Sequence, residues 1–178
     1  MLIAKDKLKN NIVEYILYMW RLEDLLRAMN FDMEVIKTNL INIQSDDAQT
    51  LQEIEQWYAN LISQMQFQQL ETSGHLNELD EKIRELNFLH FMLTTTMPDE
   101  NYIKQLELIQ PLLEEFRVKS QMDKQTDVEV CLHALNMKLL LKLQKKEVSA
   151  ATENAFKEFS KLLAMLSKRY KNQFDLVN

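Results

Sequence analysis

The stretch Leu8–Met29, LKNNIVEYILYMWRLEDLLRAM, decides the fold class. Leu8, Ile12, Tyr15, Met19, Leu22, Leu26 and Met29 recur at alternating steps of four and three, so a helix carries them on one face. Val13, Leu17 and Trp20 add a second apolar stripe on the other side. A helix that is apolar nearly all round is one packed from both sides rather than laid on a surface. The stretch therefore predicts a central helix, running from about Asp6 to Ala28 or Met29.

Composition agrees with a helical chain. The 178 residues include one glycine and two prolines, where average usage is about 7% and 5%. Sheets joined by tight turns need glycine, which excludes all-β and α/β architectures. The length suits a single domain over residues 1–178 with a core of its own. Cys131 is the only cysteine, so no intramolecular disulfide can form, and a reducing, cytoplasmic setting is expected. MLIAKDKLKN has no apolar core of a signal peptide. No run approaches the roughly 20 apolar residues of a membrane span, so no membrane partner is expected.

Outward from the first helix, further amphipathic segments follow. Asp32 can cap a short helix with Val35, Ile36 and Leu40 that ends before Ser45. The next opens at Ser45 or Asp46, with Asp46 and Gln49 at capping-box spacing, and turns Leu51, Ile54, Tyr58, Leu61 and Met65 inward. Thr72-Ser73-Gly74 breaks the chain. A helix from about His75 to Thr94 carries Leu76, Leu79, Ile83, Leu86 and Leu93, with His90 where a leucine would be expected.

From Pro98 or Asp99 to Lys119, Tyr102, Leu106, Ile109, Leu113 and Phe116 face inward, and Pro111 faces solvent. Thr126 and Glu129 form a capping box for a helix over Asp127–Lys146, apolar on two sides like the first. Ser149 caps the last helix, with Phe156, Phe159, Leu163, Leu166 and Tyr170 inward and a frayed end. The expected fold is an all-α bundle of about six helices plus a short one, the first and sixth central.

Chemistry-bearing residues are few. Glu23 falls inside the apolar stripe of the first helix, with Arg27 four residues on and placed to pair with it. Glu23 and His90 are the candidates for polar groups in a pocket; His75 is expected to be exposed. The residues three before His75, His90 and His133 are Thr72, Asn87 and Val130, so no Glu-x-x-His metal motif exists. Cys131 and His133 stand two apart on a helix and diverge, which makes Cys131 a core residue. No catalytic residue, metal ligand or cofactor site is expected.

The net charge of −6 divides unevenly: residues 1–100 hold 8 Lys/Arg against 17 Asp/Glu (−9), and residues 101–178 hold 13 against 10 (+3). The basic end includes Lys138, Lys142, Lys145, Lys146, Lys157, Lys161, Lys168, Arg169 and Lys171. Nucleic-acid binding ranks third among the readings because the domain is acidic overall.

Asn11–Trp20 with Glu23-Asp24, then Gly74-His75-Leu76 and Leu143–Glu147, resemble a bacterial family known only as a domain of unknown function. The resemblance implies an all-helical single domain of bacterial origin and carries no activity or site residues. The leading functional expectation is a non-enzymatic bundle that binds a protein partner or itself. Tyr18, Trp57, Phe67, Phe88 and Met92, off the main stripes of their helices, are its candidate surface. The alternative is a ligand-binding or enzymatic bundle with a pocket near Glu23 and His90.

Overall fold

Asn11 divides the first helix in two. In the computed structural model, which describes residues 2–175, α1 spans Leu2–Asn10 and α2 spans Ile12–Ala28. The Asn11 side chain accepts from the Glu14 N–H at 3.2 Å and from the Ser167 hydroxyl at 2.8 Å, tying the joint to the last helix. The Asn11 N–H still bonds the Lys7 carbonyl at 2.7 Å, so the chain bends without unwinding. One continuous helix starting near Asp6 is thus corrected to two. With the bend, Leu8 leaves the stripe and is exposed, and Ala4 is buried in its place.

The remaining helices are α3 (Met33–Ile36, continued by a wider π-turn over Lys37–Ile41), α4 (Ala48–Phe67), α5 (Asn77–Phe91, continued by a π-turn over Met92–Thr96), α6 (Glu100–Ser120), α7 (Asp127–Leu143) and α8 (Ala150–Asp175). No strand occurs among the described residues, and no described helix is long and apolar enough to cross a membrane. The expected frayed end falls on residues 176–178, outside the described residues.

Caps follow the residue chemistry. Thr126 and Glu129 make both bonds of their capping box, and the Ser149 hydroxyl accepts from the Thr152 N–H at 3.1 Å. Asp32 accepts from Glu34 and Val35. The cap of α4 is Asp47 rather than Asp46: its carboxylate accepts from both the N–H and the hydroxyl of Thr50, a second bond that Gln49 could not donate from its backbone alone.

Helix ends are less usual. With one glycine in the chain, α4 and α6 terminate through Gln69 and Gln121, and the turn after α7 through Lys145, all at left-handed φ between 53° and 58°. The Leu70 N–H bonds the Met65 carbonyl and the Met122 N–H bonds the Arg117 carbonyl, closing the last turns. A side chain in this region costs about 1 kcal/mol that glycine avoids. Gln121→Gly is therefore expected to raise stability by roughly 0.5–1 kcal/mol, measured as a higher denaturant midpoint at unchanged slope.

The helices pack around one apolar core. The first half of α7 is buried over most of its circumference, through Val128, Val130, Cys131, Leu132 and Ala134, with Glu129 and His133 half-buried on the remaining side. Its second half emerges, leaving Met137, Leu140 and Leu143 exposed. The reading of this helix as apolar on two sides thus holds for its first half only. α8 joins the centre: it packs on α2, α5, α6 and α7, burying Phe156, Phe159, Leu162, Leu163, Leu166 and Tyr170. Pro111 lies on the exposed side of α6, as its wheel position requires.

Candidate functional site

Trp20, Glu23 and Arg27 follow one another at helical spacing on α2, and together they organise the connection from α4 to α5. Glu23 is fully buried. The Leu76 N–H donates to its Oε1 at 3.1 Å, and His75 Nδ1 donates to its Oε2 at 2.6 Å. Arg27 donates to the carbonyls of Leu70 at 3.0 Å and Gly74 at 3.1 Å, and to the Asp24 carboxylate at 2.8 Å.

Glu23 and Arg27 therefore do not pair with one another. Segment 70–76 supplies N–H and imidazole donors to the acid and carbonyl acceptors to the base, so each ion bonds a different part of the same loop. Gly74 sits in that loop at φ +91°, where a Cβ would meet Leu70 Cδ2 at 2.9 Å.

His75, expected at the surface, is half-buried. Its ring stacks on Trp20 with centroids 4.7 Å apart, and His133 stacks on Trp20 at 4.9 Å. The Trp20 Nε1 is buried with no hydrogen-bond partner, so stacking and apolar contact hold this indole. The spacing of Trp20, Glu23 and Arg27 was visible in the sequence. Nothing local linked them to His75 and His133, about 50 and 110 residues away, which only packing brings together.

A carboxylate bonded to one imidazole nitrogen is the arrangement that orients a general base, leaving Nε2 to accept a proton. Such a base needs a nucleophile or a substrate proton within reach. Cys131 does not supply one, because burial pushes its thiol far above the ordinary range. Among the described residues, no group of three or more His, Cys, Asp or Glu is placed to hold a metal ion. The cluster's evident work is to fasten the α4–α5 connection to α2.

His90 has its own partner, with Nδ1 2.8 Å from the Tyr102 hydroxyl and the two rings edge to face. Glu23 and His90 thus make separate hydrogen bonds, the first to His75 and Leu76, the second to Tyr102. Burial lowers the pKa of His90, opposed by the Asp127 charge, and burial followed by His75 lowers that of His133.

Both imidazoles then favour the neutral form when folded and bind protons more readily when unfolded. Their contribution to stability is complete above the unfolded value near pH 6.5 and is lost as the pH falls through their lower folded values. Denaturant midpoints should fall on acidification from about pH 6.5 to 5. The fall should be shallower in a His90→Gln/His133→Gln variant.

The five candidate surface residues do not share one place. Tyr18 and Trp57 are partly buried against the core, Tyr18 lining a cleft between α2, α7 and α8 and Trp57 a crevice beside α1 and α2. Met92 is half-buried. Phe67, at the end of α4, is 89% exposed, and Phe88 is 61% exposed with Phe91 at 54% one turn further along α5. In the basic end, Lys138 pairs with Glu153 and Lys161 with Glu158, each at 2.6 Å, and Arg169 pairs with Asp99. Part of its positive charge is thereby neutralised within the fold.

A family model described as a domain of unknown function (DUF4924) matches residues 1–175. Comparison with curated proteins and with solved structures returned no match.

Proposed function

The chain belongs to the DUF4924 family, and we propose that it works by non-catalytic association with another protein chain, a second copy of itself being the first to test. The observation that carries this reading is the aromatic pair on α5: Phe88 and Phe91, 61% and 54% exposed. Residues three apart share a helix face, so the two rings present one apolar surface. Exposed aromatics of this kind are enriched at the centres of protein contacts. The candidate polar groups are engaged elsewhere: Glu23 and His75 in fastening a loop, His90 in its bond to Tyr102. A cytoplasmic setting is part of the proposal, supported by the single cysteine kept as a buried thiol; a bacterial origin is proposed with it on the family resemblance alone.

Sedimentation of wild type against a Phe88→Ser/Phe91→Ser variant, over a range of micromolar concentrations, tests it. Both side chains are exposed, so the variant should keep the wild-type circular dichroism and midpoint. It is expected to lose concentration-dependent association, or in native lysate to lose a partner that the wild type retains. A wild type that stays monomeric and retains no partner that the variant loses would overturn the reading.

A further inference from the structure

The cleft between α2, α7 and α8 has a volume of about 500 Å³, within the roughly 300–1,000 Å³ of small-ligand clefts. Its floor is aliphatic, made by Val13 and Leu17 of α2, Leu135 and Leu139 of α7, and Leu163 of α8. Its rim is unbalanced in charge: Lys7, Arg21 and Lys138 stand against one carboxylate, Glu14. Lys7 is paired with Glu14 at 2.7 Å and Lys138 with Glu153 at 2.6 Å. Arg21 has no ion-pair partner among the described residues. Val13, Leu17 and Leu163 are buried and Leu135 and Leu139 half-buried, so an arginine without an acid stands beside a cleft walled by aliphatic side chains, a site with both halves of an amphiphile's complement.

We propose that this cleft binds a single-chain amphipathic carboxylate, its alkyl chain along the aliphatic floor and its head group on Arg21. The planar guanidinium matches a carboxylate through two parallel N–H···O bonds. The floor offers branched aliphatic side chains, with Tyr18 as the one aromatic at the cleft, which suits a flexible chain better than a stacked ring. The Lys7–Glu14 pair closes one end of the rim without adding net charge, and Lys138 is likewise held by Glu153, leaving Arg21 as the unpaired cation of the rim. This site is separate from the α5 surface and does not depend on it.

A dansyl-labelled undecanoate, used below its micellar concentration, reports occupancy through its fluorescence, and decanoate and decanol serve as competitors. Wild type should bind the probe saturably at micromolar levels, and decanoate should compete about tenfold better than decanol, as expected for one charge-assisted pair. Arg21→Gln should remove that preference while leaving decanol unchanged. Ala164→Trp, at an exposed position of α8 bordering the cleft, should abolish probe binding while helicity stays at the wild-type level.

Absence of saturable binding to wild type would overturn the proposal. So would equal competition by decanoate and decanol, or an Arg21→Gln variant that keeps the carboxylate preference. The Phe88→Ser/Phe91→Ser variant should bind the probe like wild type, so failure of the association reading would not be mistaken for failure of this one.

Discussion

Met19→Asp is expected to unfold the chain at 25 °C or to lower its stability by about 4 kcal/mol or more, the scale for an unpaired charge forced into a core. Met19 is 1% exposed on the inward face of α2. Its neighbours along a crevice at α2 include Trp57 and Leu61 of α4, and the charged residues lining it are the exposed Lys5 and Glu78, whose carboxylate already accepts from the Tyr15 hydroxyl at 3.1 Å. A new aspartate at this buried position would find apolar surface and the like charge of Glu78, while the cation lining the crevice, Lys5, is exposed to solvent. Glu14→Ala is the control on the same helix. Glu14 is exposed and its pair with Lys7 is open to solvent, so a change of no more than ~0.5 kcal/mol is expected. Urea denaturation of the two variants checks the contrast; similar midpoints would show that α2 is not central.

Glu23→Ala should cost about 3 kcal/mol, because it strands the Leu76 N–H and the His75 imidazole and leaves a void where the carboxylate was. In a chain of this size that corresponds to a fall of roughly 10 °C in Tm. Glu23→Gln keeps an oxygen for Leu76 and a polar partner for His75, so its cost should be nearer 1 kcal/mol. Hydrogen exchange separates this account from a general loosening. In Glu23→Ala the amides of residues 70–76 should lose protection more than those of α6 and α7. Equal stability of the Ala and Gln variants would mean that the loop is held by Arg27 alone.

Much of the fold was legible in the sequence because helix periodicity is local. A face made by Ile54, Tyr58, Leu61 and Met65, or by Tyr102, Ile109 and Leu113, is written in spacing, and these residues are buried as the spacing requires. Caps at Asp32, Thr126 and Ser149 are equally local, each needing only a side chain within three residues of its N–H. The bend at Asn11 was not legible, since asparagine also sits within helices. The Ser167 hydroxyl, 156 residues away, holds its side chain in the capping position.

The partner of Glu23 illustrates the same division. Spacing on α2 selects Arg27, and in an isolated helix that pair would be the best one available. In the folded chain, segment 70–76 offers Glu23 an N–H and an imidazole, and offers Arg27 two carbonyls. Burial makes each of those bonds costly to leave unmade, so the long-range partners replace the local one. The sequence by itself determined the all-helical class, most inward faces and most caps, because each depends on residues within one or two turns. Only the tertiary structure decided that α8 shares the centre, that Trp20 stacks on both His75 and His133, and that Arg21 stands beside an aliphatic cleft. Those features depend on which helices meet, and that is set by the packing of the whole core rather than by any one helix's pattern.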